Sequence, residues 1–137
     1  MTTETTLKLE TLHQVMEPAE DLERAIAFYR DTLGLPFVAK FDPPGLAFFD
    51  LGGTRLMLSA IAEEETARPG SPLYFAVDDI EAATATLEAR GVTIESGPHA
   101  IFKDEKGVFG PAGAEEWMTF FRDTEGNLLA LVASRES

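Results

Sequence analysis

The chain has 137 residues, 45% of them hydrophobic, and a formal net charge of -13 from 24 acidic and 11 basic residues. This composition fits one globular domain, and the lack of cysteine excludes disulfides and thiolate metal sites. The sequence contains no apolar run long enough to predict a membrane span and no segment that predicts a signal peptide. The excess of acidic over basic residues argues against nucleic acid and anionic membranes as partners. We expect a cytoplasmic protein.

The first half of the chain predicts a strand, a helix, a second strand and a hairpin. Leu22, Ile26 and Tyr29 recur at helical spacing, and Gly34 is typical of the residue that follows a helix. The predicted elements, in chain order, are a strand at 9–16, a helix at 22–33, a strand at 36–41, a turn at 42–45 and a hairpin at 47–58.

The second half predicts the same order of elements after a charged linker. Asp78 and Asp79 can cap a helix that ends at Gly91. Three further glycines follow Gly97 before residue 114, which predicts a mobile flap. The predicted elements are a linker at 60–71, strands at 73–77 and 92–95 on either side of the helix, a flap at 97–114 and a final hairpin at 117–131.

The two halves repeat one another in sequence. The run that begins at Asp21 matches the run that begins at Asp79, and both hairpins contain a Phe-Phe pair. Because neither half has enough strands to bury both faces of its sheet, the halves must associate. We therefore predict an α+β single domain (1–137) of two βαβββ modules, 9–59 and 72–134. They form a curved mixed sheet around a cavity, with the helices on the convex face.

The chain resembles the vicinal-oxygen-chelate superfamily, which includes glyoxalase I, bleomycin-resistance proteins and extradiol dioxygenases. The resemblance covers about residues 9 to 133. It is carried by DLERAIAFY at 21–29, LGL at 33–35, VDD at 77–79 and DTEGN at 123–127. These motifs are specific for the fold, but one fold of this kind supports many chemistries.

The resemblance also implies where a metal would bind. Family members that depend on a metal take two ligands from each module, at positions that correspond here to Gln14 and Met57 and to Pro72 and Ala130. Gln is an accepted ligand in some glyoxalases, but Pro and Ala offer no side-chain donor and a thioether is a poor ligand for a hard cation. We therefore expect no metal and no other cofactor.

Strand alternation predicts which residues line the cavity. The inward set is mostly apolar with a few polar groups, which is typical of a small-molecule pocket, although the same residues could pack against one another in a closed core. The predicted ligand-binding residues are Gln14, Phe48, Arg55, Met57, Met118, Phe120 and Ala130. If Gln14 is buried, its side-chain amide needs a hydrogen-bond partner, and either a ligand or Arg55 could supply one.

Two further residues are candidates for catalysis. Glu116 is the best inward carboxylate and could act as an acid or a base, and His99 lies at the base of the predicted flap. The two would form an acid-base pair if the flap closes. An exposed loop histidine and a solvated strand-end carboxylate are the alternatives.

Three functions follow from these observations. The first is a metal-free, bleomycin-resistance-like protein that binds a small, partly aromatic organic molecule. The second is an isomerase or lyase that uses Glu116 and His99, and the third is a glyoxalase or dioxygenase with an unconventional metal site. The resemblance further implies a homodimer, because modules of this family pair into one site and an open sheet edge would otherwise be exposed.

Overall fold

The computed structural model of the protein describes residues 7–61 and 70–136. The predicted linker therefore lies mostly outside the described residues. The first module contains β1 (Gln14–Pro18), α1 (Leu22–Ala27) continued by a π-helical turn (Phe28–Thr32), β2 (Phe37–Phe41), β3 (Leu46–Leu51) and β4 (Thr54–Ser59). The second contains β5 (Leu73–Ala76), α2 (Ile80–Ala89), β6 (Ile94–Asp104), β7 (Ala114–Arg122) and β8 (Leu128–Arg135).

Each module forms its own four-stranded mixed sheet. The strand orders are β1-β4-β3-β2 and β5-β8-β7-β6, with β1 parallel to β4, β5 parallel to β8, and the other pairs antiparallel. This architecture confirms the α+β fold of two βαβββ modules. No helix in the described part of the chain is long and apolar enough to cross a membrane.

The helices begin and end for the reasons that the sequence indicates. Asp21 and Asp79 cap α1 and α2, because each carboxylate accepts a hydrogen bond from the amide three residues later. Gly34 and Gly91 follow the helices with φ of +78° and +88°, a backbone conformation that favours glycine. The repeat therefore extends to matching caps at both ends of the two helices.

Three strand predictions need correction. β1 begins at Gln14, and residues 9–13 precede it without regular secondary structure. The predicted short strand at 92–95 is the start of β6, an eleven-residue strand that continues to Asp104. The flap predicted at 97–114 is therefore wrong over residues 97–104, because β6 pairs with β7 from Ile94 to Asp104, whereas residues 105–113 do form a loop.

Polar side chains join the two modules at the turn between β7 and β8. The Tyr29 hydroxyl donates to Asp123 Oδ2 at 2.6 Å. Asn127 Nδ2 donates to the Pro18 carbonyl at 2.9 Å and to Asp123 Oδ2 at 2.8 Å. Arg24 of α1 forms a bidentate ion pair with Glu125. The helix of the first module is thus tied to the hairpin turn of the second.

A carboxyl group is buried beside this junction. Glu17 has no exposed surface, and neither of its oxygens has a hydrogen-bond partner among the described residues. Burial, with a smaller contribution from the charge of Asp123, raises the pKa of Glu17 to about 8. Gly70 lies directly on the carboxyl, since a Cβ there would be 2.5 Å from Glu17 Oε2. Glycine is therefore the residue that this close approach permits.

Candidate functional site

Each sheet has an open face, which is the side away from its helix. In β7, Thr119 faces α2, where its hydroxyl lies 2.8 Å from that of Thr84. Glu116, Met118 and Phe120 alternate with Thr119 and therefore lie on the open face. The sequence predicted that these three residues face inward, and the register of β7 with β8 puts all three on one face of the sheet.

A cleft of about 430 Å³ occupies part of the open face of the second sheet. Its size falls within the range of small-molecule sites. The rings of Phe102 and Phe109 meet edge to face in it, with centroids 6.2 Å apart and an interplanar angle of 75°. Phe109 is 83% exposed, so most of its ring surface is available to an incoming molecule. The side chains that shape the cleft include Ala76, Asp78, Phe102, Phe109, Glu116 and Val132.

The cleft is also acidic. Asp78, Glu115 and Glu116 all line it, and within residues 7–61 and 70–136 none of the three carboxylates has an ion-pair partner. Glu116 pairs in register with Phe102 and Ser134, so no cation lies directly across the sheet from it. An anionic molecule would be repelled here, whereas a neutral or cationic aromatic molecule would not.

Asp104 holds the loop that carries Phe109. Its carboxylate accepts hydrogen bonds from the backbone amides of Val108, Phe109 and Gly110, at 2.7, 2.9 and 3.2 Å. The amides of Phe109 and Val108 hold the pKa of Asp104 below its ordinary value. The loop at residues 105–113 is therefore held by hydrogen bonds to Asp104, the residue that precedes it. These bonds fix the backbone of Phe109, whose ring lies beside that of Phe102.

The open face of the first sheet carries a different set of groups. Gln14 Nε2 donates to Met57 Sδ at 3.6 Å, so its partner is the thioether and not Arg55 as one prediction allowed. The Arg55 guanidinium lies over the ring of Phe48, with its carbon 5.5 Å from the centroid. This face thus carries an arginine stacked on an aromatic ring, with Asp50 in register beside Arg55, whereas the cleft of the second module is lined by carboxylates.

The predicted binding residues fall into two groups, one on each module. The first group is on β1, β3 and β4, and the second is on β7 and β8. Across the described ranges, no hydrogen bond, ion pair or ring contact joins one group to the other. The first group consists of Gln14, Phe48, Arg55 and Met57, and the second of Met118, Phe120 and Ala130.

The two catalytic candidates lie on the same sheet but do not contact one another through a hydrogen bond in the part of the chain described. His99 is in β6, opposite Met118, and is exposed. Its Nδ1 lies 2.7 Å from the Gly97 carbonyl oxygen, and its ring centroid is 6.3 Å from that of Phe120. Because His99 belongs to a paired strand, the flap closure that would bring it to Glu116 has no structural basis.

The four positions that correspond to family metal ligands do not fit a divalent cation. Gln14 and Met57 contact each other, which supports their pairing in the first module. Pro72 is exposed ahead of β5, and Ala130 is buried between Tyr74 and Phe120. One amide, one thioether and two side chains without donors do not make a site for a hard ion. Among the described residues, no group of three His, Asp or Glu side chains is placed to hold a metal.

The sequence did not single out Phe102, Phe109 or Asp78 as site residues. Three irregularities interrupt the pairing of β6 with β7, so the alternation that would have placed Phe102 on the open face is broken. One local signal was available, since Asp104 followed three residues later by Gly107 is typical of a turn closed by an aspartate side chain.

Comparisons with known proteins agree with this architecture. Residues 11–131 match the model of the Glyoxalase/Bleomycin resistance protein/Dioxygenase superfamily. A glyoxylase-like domain-containing protein from Didymella fabae is 35% identical over 126 residues, which is 83% of this chain and 86% of that protein.

Two solved structures have the same fold. The lactoylglutathione lyase from Agrobacterium tumefaciens has a TM-score of 0.66 and 26% identity, over 90% of this chain and 93% of that one. TnmS3, an antibiotic-binding protein from Streptomyces sp. CB03234, has a TM-score of 0.72 and 22% identity, over 92% of this chain and 97% of that one. The fold therefore occurs in an enzyme and in a binding protein.

Proposed function

Because the chain belongs to the glyoxalase/bleomycin resistance protein/dioxygenase superfamily, we propose that it binds a small, partly aromatic organic molecule, without a metal, in the cleft of the second sheet. The observation that carries this proposal is the Phe102–Phe109 pair beside the Glu116 carboxylate, which has no ion-pair partner in the part of the chain that the structure describes. A flat ring can stack on Phe109, and the carboxylates favour a neutral or cationic molecule. The antibiotic-binding function of TnmS3, which shares the fold, is consistent with this proposal.

Binding without a metal is supported by the chemistry of the four corresponding positions. A glyoxalase or dioxygenase reaction needs a cation held by several imidazole or carboxylate groups, and Gln14, Met57, Pro72 and Ala130 supply none. We therefore expect that ligand affinity is the same with and without a chelator. A ligand whose binding requires one equivalent of divalent metal per chain would contradict the proposal.

The binding site can be tested with three probes of matched size. We expect 2-naphthylmethylamine and 2-naphthylmethanol to raise the melting temperature and 2-naphthoate to leave it unchanged, because the cleft is acidic. Phe109→Ala should weaken the amine about tenfold, since one aromatic contact is lost. Glu116→Gln should weaken the amine more than the alcohol, because only the amine carries a charge.

The control for Phe109→Ala is Val108→Ala, which changes the neighbouring exposed residue outside the cleft lining. Calorimetric affinities for all three probes are the measurement. Equal affinity of Phe109→Ala and the parent protein for the amine would show that the ligand binds elsewhere. Turnover of a bound ligand that is lost in Glu116→Gln would favour the isomerase or lyase hypothesis.

We also propose that the protein is a homodimer. The open faces and edges of the two sheets leave large apolar side chains in water, among them Phe41 (53% exposed), Tyr74 (56%) and Phe102 (43%). Light scattering at micromolar concentration should give twice the mass of one chain. A monomeric mass under these conditions would contradict the proposal.

A further inference from the structure

A second cavity lies on the helix side of the molecule, at the seam between the modules. Its volume is about 260 Å³, and it is separated from the acidic cleft by the second sheet. Apolar side chains of α2, of the second sheet and of the segment that follows α1 form its wall. The lining residues are Leu33, Leu35, Phe75, Val77, Ala83, Thr86, Leu87, Arg90, Phe121 and Leu131.

The cavity exists because small residues face the seam. α2 presents Ala83 and Thr86 where a larger side chain would fill the space. Thr86 uses its hydroxyl to donate to the Ala82 carbonyl, so it offers the cavity chiefly its methyl group. The wall is therefore apolar along α2 until the helix ends.

Arg90, the residue that caps the end of α2, is the one charged side chain among the described residues that line this cavity. Its Nη1 donates to the Thr32 carbonyl at 2.8 Å, which anchors the guanidinium across the seam. Four of the six arginines in the described part of the chain form ion pairs, and Arg90 is not among them. An arginine at the mouth of an apolar cavity, with no carboxylate partner among the described residues, is complementary to an anionic group.

From this arrangement we propose that the seam cavity binds a small monocarboxylic acid with an apolar body. The body would fill the space between Ala83 and Phe75, and the carboxylate would accept hydrogen bonds from Arg90. The negative end of the α2 dipole opposes an anion here, but this effect is weaker than a charge-assisted hydrogen bond. We propose a carboxylate and not a phosphate ester because a phosphate ester carries more negative charge than one arginine can balance. The volume is slightly below the usual range for ligand sites, which limits the acid to a small one.

Octanoate is the test probe, with octylamine as a probe of equal length and opposite charge. By titration calorimetry at neutral pH and physiological ionic strength, octanoate should bind the parent protein at one site per chain and octylamine should not bind at this cavity. Arg90→Gln should weaken octanoate about tenfold, since a charge-assisted hydrogen bond is lost. The matched control is Arg30→Gln, which removes an exposed arginine that is paired with Asp31 outside the cavity.

A second pair of variants tests the cavity itself. Ala83→Leu should abolish octanoate binding by filling the space, whereas Ala89→Leu, on the exposed part of the same helix, should not. Phe109→Ala should leave octanoate affinity unchanged, because it alters only the acidic cleft. The proposal is overturned if octanoate does not bind, if Arg90→Gln binds it as the parent does, or if Ala83→Leu instead disrupts self-association, which would place a second copy in the cavity.

Discussion

Replacing Asp123 with alanine is expected to lower the free energy of unfolding by about 3 to 5 kcal/mol, because it leaves several buried donors without an acceptor. Asp123 is 6% exposed and accepts from the Tyr29 hydroxyl, from the amides of Glu125 and Asn127, and from Asn127 Nδ2. The variant therefore damages both the turn between β7 and β8 and the contact of that turn with the first module. Urea unfolding at neutral pH is the measurement.

Two controls separate this effect from a general loss of charge. Asp31→Ala removes an exposed carboxylate whose one ion-pair partner in the described part of the chain is its neighbour Arg30, and should change stability by less than about 0.5 kcal/mol. Tyr29→Phe removes one hydrogen bond of the network and should cost about 1 to 2 kcal/mol. If Asp123→Ala unfolds at the same urea concentration as Asp31→Ala, the junction does not hold the modules together.

The second large effect is a dependence of stability on pH that comes from Glu17. Its pKa is about 8 in the folded protein against 4.5 for an ordinary glutamate, so between these values the folded state binds more protons than the unfolded state. The contribution of this group is fully present below pH 4.5 and is lost as pH rises through 8. A shift of this size corresponds to roughly 3 to 5 kcal/mol.

Glu17→Gln should remove this dependence, because the amide stays neutral at every pH. We expect the parent protein to lose stability relative to Glu17→Gln as the pH is raised from 5 to about 9 in a series of urea unfolding curves. Glu88→Gln, an exposed substitution on α2, should follow the parent curve. Parallel curves for Glu17→Gln and the parent would mean that the Glu17 carboxyl has a partner or is hydrated.

The Glu17 and Asp123 predictions are coupled. Tyr29 also faces this cluster, and burial and the charge of Asp123 raise the pKa of its phenol, so it stays protonated and donates. Removing the charge of Asp123 would make ionisation of Glu17 easier. In Asp123→Asn, the loss of stability with rising pH should therefore end at a pH below 8 and be smaller in total than in the parent protein.

Much of the fold could be predicted from local patterns. The helical spacing of Leu22, Ile26 and Tyr29 and the capping aspartates specify the helices through contacts within a few residues. The duplicated Phe-Phe hairpins specify the module, since a repeat in sequence is a repeat in structure. β6 was mispredicted because its glycine and proline residues indicate a loop, whereas pairing along β7 holds them in a strand.

Less of the candidate site could be predicted. Alternation placed Glu116, Met118 and Phe120 on one face, because the period of a regular strand is local. Phe109 reaches the same cleft through a loop that Asp104 holds by three amide hydrogen bonds, and no periodicity describes such a loop. Whether the two predicted groups of binding residues form one site depends on how whole modules pack.

The sequence by itself determined the helices, the hairpins and the repeat, since each follows from residue type and short-range spacing. The four positions that carry no ordinary metal ligand were located by the resemblance to the superfamily, and the residue types at them are read from the sequence. Only the tertiary structure decided that Glu17 is buried with no hydrogen-bond partner among residues 7–61 and 70–136, that Asp123 and Asn127 join the modules, and that Arg90 lies at an apolar cavity at the seam. These features depend on groups about 50 to 110 residues apart in the chain. Contacts between residues so far apart in sequence form only when the two modules pack against each other, and local residue spacing does not predict that packing.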